Sequence, residues 1–245
     1  MTFYIKTASG FQAVPAATRT PTAGQTVLLN LIDKIPFPLN TAGQTSLTGL
    51  FKDLPALVEA PMIDTSSATS LIDIFRNDTL LATVPAWNTS NVTNFNGAFF
   101  GVKKITALPP WNFSAAQTLR STFSPNGGAH LLTSATLDLP AATDIFEMFA
   151  YCGSPFATAN LTSLGNVTSA SGVFQSCSGL TNLTMGGMRA SFSVQNSNLD
   201  ATRLNTLFTS LGTALGGAVV TISGTPGSGA CNRSIATAKG WTVTG

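Results

Sequence analysis

Between Thr45 and Asn182 the apolar positions return with a period far longer than that of a helix or a strand. Phe51, Phe75, Phe99, Phe123, Phe149 and Phe174 stand 24, 24, 24, 26 and 25 residues apart. Four residues before each lies Leu47, Leu71, Phe95, Leu119, Ile145 or Ala170, and one before lies Leu50, Ile74, Ala98, Thr122, Met148 or Val173. A threonine stands six before in Thr45, Thr69, Thr93, Thr143 and Thr168, with Gln117 as the exception. A fixed period in this range predicts stacked units, because each is one supersecondary element that cannot bury its apolar side alone. The expected fold class is a repeat solenoid, predominantly β with short helical segments, with a small N-terminal hairpin and an α/β C-terminal cap.

The same phase extends past the phenylalanine. Pro61, Pro85 and Pro109 lie ten residues after it, Ile63, Trp87 and Trp111 twelve after, and Asp64, Asn88 and Asn112 thirteen after. Equal phase makes such residues vertical neighbours, about 4.8 Å apart where strands pair. This predicts an Ile-Trp-Trp stack beside an Asx ladder, each Asx side chain bonding its own backbone at a corner. Two readings of that corner stay open. In one, Trp87 and Trp111 are a platform for sugar rings, with Asn88 and Asn112 supplying hydrogen bonds. In the other, both pairs are structural.

Taken in order, residues 1–14 read as a hairpin, and Pro15 to Gly24 as a Pro/Thr/Ala linker. Val27 to Ile35 has helical apolar spacing and is expected to cap the open end, stopped by Pro36 and Pro38. Within the repeat, short strands such as Leu80 to Val84 and Lys104 to Leu108 are expected. An extended or single-turn helical side then runs into the phenylalanine. Two residues are inserted between Phe123 and Phe149, which places a bulge at Ser124 to His130 and a strand at Thr136 to Leu139. A second bulge is expected at Gly153 to Phe156. Asn126, His130 and Phe156 in these exposed loops are candidate recognition residues, since loops on a rigid scaffold commonly bind. Asp200 is placed to N-cap a helix carrying Leu204, Leu207, Phe208 and Leu211, with Gly212 as its stop. A strand at Val219 to Ser223, a short helix at Ser234 to Lys239 and a strand at Trp241 to Thr244 complete the cap. The domains are therefore 1–40, 41–195 and 196–245.

The segments Trp87 to Gly101 (WNTSNVTNFNGAFFG) and Val173 to Leu183 (VFQSCSGLTNL) resemble the BspA-type leucine-rich repeat, including the variety found in bacterial surface and phage proteins. Cys152 and Cys177, each three after its phenylalanine, match the F-x-x-C step of that repeat. The tail from Leu199 onward is similar to the end-piece that follows such repeats in phage and prophage tail proteins. The resemblance implies a leucine-rich-repeat-like solenoid.

Composition narrows the function. Only 9% of residues are charged while 44% are hydrophobic, and the 16 phenylalanines argue against disorder. The net charge of +2, with scattered Lys and Arg, gives no reason to expect nucleic-acid binding. No apolar run is long enough for a membrane span, and the N-terminus lacks the pattern of a signal peptide. Catalysis finds little footing. His130 is the sole histidine, Glu59 and Glu147 are the only glutamates, and no G-x-S-x-G elbow or metal-ligand spacing occurs. Cys152 and Cys177 are in phase, and buried thiols are expected there rather than a disulfide. The Asn-x-Ser/Thr triplets, such as those at Asn88, Asn91 and Asn160, are read as turn residues. The expected function is a non-enzymatic bacteriophage virion protein, a tail fibre or tail-tip adhesin, with no catalytic residue, metal or cofactor. Its partners would be other virion proteins through the N-terminal segment and a host-surface glycan or protein, with a trimer as one oligomeric option. The alternatives are a head or tail decoration protein and a bacterial cell-surface adhesin.

Overall fold

The computed structural model describes residues 3–7, 10–14, 34–35, 39–128 and 130–245. Successive copies of the repeat pair in parallel. A column of single bridges runs Ser46, Ser70, Asn94, Thr118, Asp144, Ser169, which is the same series of 24, 24, 24, 26 and 25 residues as the phenylalanines. A threonine ahead of four of the five bridges reinforces the pairing, as where Thr69 Oγ1 donates to the Thr45 carbonyl at 3.1 Å and Thr168 Oγ1 to the Thr143 carbonyl at 3.2 Å, with Gln117 the exception.

From the bridge into the phenylalanine the backbone alternates its donors. In the second copy the N–H groups of Leu71, Asp73, Phe75 and Asn77 donate to Asn94, Asn96, Ala98 and Phe100 of the next copy, all at 2.8–2.9 Å. Those of Ile74 and Arg76 donate three residues back within their own copy. Six of the seven N–H groups from Leu71 to Asn77 thus have a backbone partner, close to what a buried backbone requires. The series skips once, after Phe123, where Pro125 has no N–H to give. This side is neither extended strand nor helical turn, which corrects the expectation. The residue two before each phenylalanine is held at positive φ: Gly49, Asp73, Gly97, Ser121, Glu147 and Gly172, at 51–66°. A bond from the fourth residue to the first with positive φ at the third is a type II turn, and such a residue breaks a right-handed helix. Gly97 shows the crowding: a Cβ there would lie 2.3 Å from Asp73 Oδ1.

The turns point their phenylalanines into one continuous stack. Successive ring centroids from Phe51 to Phe174 lie 5.5, 5.4, 5.5, 5.3 and 5.7 Å apart. Offset aromatic pairs at this spacing add about 0.5–1.5 kcal/mol each beyond their buried area.

The other side of the repeat changes along the chain. Lys34, Glu59 and Thr83 form only single parallel bridges. The strands expected at 80–84 and 104–108 are absent: Thr83 makes one bridge and 104–108 are irregular. Beyond the insertion a three-stranded parallel sheet forms from β3 (Ser134–Asp138), β4 (Thr158–Thr162) and β5 (Asn182–Met185). β1 (Phe3–Thr7) and β2 (Gly10–Val14) make an antiparallel hairpin. The helix expected at Val27 to Ile35 lies mostly outside the described residues, and Lys34 bridges to Glu59 instead of continuing it.

At the C-terminal end, β6 (Phe192–Ser193), β7 (Val219–Thr221) and β8 (Thr242–Thr244) pair in parallel. Helix α1 (Ala201–Ser210) is capped by Asp200, whose side chain accepts from the Arg203 N–H at 2.8 Å. Leu211 in extended conformation ends it, rather than Gly212. The freed carbonyls of Phe208, Thr209 and Leu211 accept from Lys239 Nζ at 3.0, 2.6 and 2.7 Å, a cation placed at the negative end of the helix. Lys239 follows α2 (Ser234–Thr237).

Candidate functional site

The Trp corner is structural. Trp87 and Trp111 are 3% and 7% exposed and stack at 5.2 Å, each also against the phenylalanine column. Their indole N–H groups donate to the carbonyls of Pro61 and Pro85, 26 residues earlier, at 3.2 and 3.0 Å. No ring face is offered to a sugar, so the platform reading of Trp87 and Trp111 is overturned. The reason is period: a large residue at equal phase in adjacent copies buries itself against its neighbour.

Asn88 and Asn112 are exposed, and their side chains are engaged in the corner. Asn40, Asp64, Asn88 and Asn112 each accept from the backbone N–H two residues on, at 2.9–3.2 Å. Hydrogen bonds to Ser66 hold the Asp64 carboxyl below the usual aspartate range. The next residue inward carries a ladder that the sequence reading missed. Thr41, Thr65 and Thr89 are buried, and their hydroxyls donate to the carbonyls of Asp64, Asn88 and Asn112 at 2.6, 2.7 and 2.8 Å. Three threonines at a 24-residue spacing were the available signal. The ladder stops at Phe113, which packs on Phe95 at 4.9 Å.

The loop candidates separate. Asn126 is exposed, at φ 50°, beside exposed Gly127 and Gly128. His130 and Phe156 are 2% and 0% exposed, and neither belongs to a solvated loop. Phe156 stacks on Phe149 at 5.2 Å, and His130 meets it edge-on at 5.8 Å. His130 Nε2 lies 2.8 Å from Cys152 Sγ, which is 3.5 Å from the Phe123 carbonyl, while Cys177 Sγ donates to the Phe149 carbonyl at 3.0 Å. His130 Nδ1 is buried without a partner. The tautomer with Nε2–H donating to sulfur leaves a bare lone pair there rather than an idle N–H, and is the one assigned. Burial drives the imidazole down to about 4, so it is neutral at pH 7.

Asp78 occupies the phase of Cys152 and Cys177, three after its phenylalanine, and is fully buried. Its Oδ1 accepts from the Leu54 N–H at 2.7 Å, and its Oδ2 has no partner. Burial pushes its carboxyl up to about 8 against the Leu54 hydrogen bond, with nearby Asp53 adding to the rise. Among the described residues no group of three or more His, Cys, Asp or Glu is arranged to hold a metal, and no helix is long and apolar enough to cross a membrane.

The broad polar surface lies on the outward face of β3–β5. Alternation buries Ala135, Leu137, Ala159, Leu161 and Leu183, and turns Ser134, Thr136, Thr158, Asn160, Asn182 and Thr184 outward. Pairing in register sets Thr136, Asn160 and Thr184 in one row across the strands. Thr184 donates to Asn160 Oδ1, which leaves the Asn160 amide N–H groups directed at no protein acceptor among the described residues.

A family profile described as "Mycoplasma protein of unknown function, DUF285" matches residues 45–157 and again 69–188. The two matches begin 24 residues apart, from 45 to 69, which is one period of the phenylalanine column. The profile therefore spans several copies and fits this chain in two registers, covering together more than half of its 245 residues. No curated protein and no solved structure gives a significant match.

Proposed function

This chain belongs to the family described as Mycoplasma protein of unknown function, DUF285, and on that footing we propose that it is a non-catalytic adhesin, a leucine-rich-repeat-like solenoid carried on a bacteriophage tail fibre or tail tip. The observation that carries the reading is the outward face of β3–β5. It is lined by hydroxyls and amides, with Asp138 at the end of β3 as its charged side chain, the chemistry that meets a polyhydroxyl or peptide surface. The ionisable groups of the core, Asp78 and His130, are enclosed by the stack rather than set in a cleft. The N-terminal segment is the attachment to other virion proteins in this reading.

The family's association with BspA-like surface repeat proteins favours a second setting for the same activity, the surface of a bacterial cell. One experiment addresses both. Labelled protein is incubated with intact bacterial cells, beside an Asn160→Arg variant that keeps the buried face unchanged. Binding that is lost in the folded variant is the expected result. Binding that the variant retains moves the contact to Asn126 and its loop. No binding to cells, with attachment to phage particles instead, overturns the adhesin in favour of a decoration protein. Trp87→Ala and Trp111→Ala are unsuitable here, because they would report on folding.

A further inference from the structure

The buried triad His130, Cys152 and Cys177 is unused by the adhesion reading. Cys152 and Cys177 stand at the same phase of adjacent copies. The Tyr151 N–H donates to the Gln175 carbonyl at 2.7 Å, and the rings of Phe149 and Phe174, three residues upstream of each thiol, lie 5.7 Å apart. A disulfide needs Cα atoms about 4.4–6.8 Å apart, a range that such stacking provides. Both thiols are free, and both are fully buried. Burial, and after it the Cys177 thiol of the adjacent copy, raises the Cys152 thiol well above the ordinary cysteine value. The third cysteine, Cys231, is half-buried and lies in the C-terminal end, with its thiol directed at the Ser228 carbonyl.

We propose that Cys152 and Cys177 form a latent disulfide that a peroxide closes, joining the fifth and sixth copies of the repeat, with His130 as the positioning residue of the first step. The sulfur of Cys152 attacks one peroxide oxygen, the O–O bond breaks, and the thiol proton leaves with the other oxygen as water, giving the sulfenic acid. The sulfur of Cys177 then attacks the Cys152 sulfur, the S–O bond breaks, and the departing hydroxyl takes the Cys177 proton as a second water. Two thiols are oxidised and one peroxide is reduced to two waters. The His130 Nε2–H, aimed at the Cys152 sulfur from 2.8 Å, stabilises the negative charge that gathers on sulfur as the proton departs. This offsets the apolar surroundings that otherwise disfavour a thiolate. The bond would tie two copies already in register, and so requires no change in how they stack.

The test treats the full chain with hydrogen peroxide and follows intact mass, peptide mapping and melting temperature. The expected result is loss of two hydrogens, a Cys152–Cys177 linked peptide, one remaining free thiol at Cys231, and a melting temperature that rises and falls back on reduction. The Cys177→Ser variant should gain oxygen at Cys152 instead of losing hydrogens. In His130→Gln the same bond should form several-fold more slowly, while its end-point and peptide map stay unchanged. A wild-type chain that keeps Cys152 and Cys177 reduced under peroxide that oxidises Cys231 would overturn the proposal, as would a map linking Cys231 to either. An unaltered rate in a folded His130→Gln variant would remove His130 from it.

Discussion

Residues 39–113 and residues 130–185 share one phenylalanine column and hold their copies together differently. In the first region side chains carry much of the bonding between copies. Thr41, Thr65 and Thr89 bond to the next copy's carbonyls, Trp87 and Trp111 reach back to Pro61 and Pro85, and the backbone on that side adds only single bridges. In the second region the backbone carries it, through the four- and five-residue pairings of β3, β4 and β5. The period explains the exchange. While it stays at 24 residues, identical side chains meet their equivalents and a ladder can propagate. When it slips to 26 and 25 the corner residues no longer match, and extended backbone, indifferent to side-chain identity, takes over.

The shared column predicts that the two regions unfold together. Phe75→Ala in the first and Phe149→Ala in the second should each cost about 3–5 kcal/mol, the usual loss for a fully buried phenylalanine. Urea denaturation followed by fluorescence and by circular dichroism should shift as one transition in both variants. Two separated transitions would show that each region has its own core.

The regions differ most sharply in their buried titratable groups, and pH should separate them. Folding raises Asp78 from 3.8 to about 8, so its contribution is full below the unfolded value and is lost as pH climbs through this window. Folding lowers His130 from 6.5 to about 4, so its contribution is full above the unfolded value and is lost as pH falls toward 4. Each effect is on the order of a few kcal/mol at about 1.4 kcal/mol per pKa unit. Asp78→Asn should therefore leave a stability that rises with pH between about 4 and 6.5, whereas His130→Gln should leave one that falls over the same interval. Equal pH profiles for the two variants would contradict the burial assigned to both groups.

Smaller effects probe the bonding itself. Thr65→Val removes the hydroxyl that donates to the Asn88 carbonyl at 2.7 Å and should cost about 1 kcal/mol, because Thr65 is buried and the bond is partly shielded from water. Thr162→Val should cost less, since its partner, the Asp138 carboxylate, is exposed to water. Equal losses in thermal melts would break the contrast between a side-chain-bonded and a backbone-bonded region. The smallest expected change is a gain. Glu147 sits at φ 51° in the position that Gly49, Gly97 and Gly172 fill elsewhere, and Glu147→Gly should stabilise by up to about 1 kcal/mol.

Much of this was legible in the chain. The phenylalanine spacing coincides with the register of the parallel bridges, and the Asx residues bond their own corners as their phase implied. Asp200 caps its helix. The turns were not legible, because their signature is a residue at positive φ that is glycine in only three of six copies. The binding candidates fared unevenly for a related reason. Trp87, Trp111, His130 and Phe156 carry polar or aromatic groups that suit recognition equally well as core, and a one-dimensional pattern does not say which side of the chain faces water.

The amino-acid sequence by itself determined the period, the phase of the apolar column and the places where the repeat slips, since these are distances counted along the chain. Only the tertiary structure decided that the tryptophans are core, that Asp78 and His130 lie in apolar surroundings, and that a sheet face rich in hydroxyls and amides is turned to solvent. Each of these depends on what the adjacent copy places against a side chain.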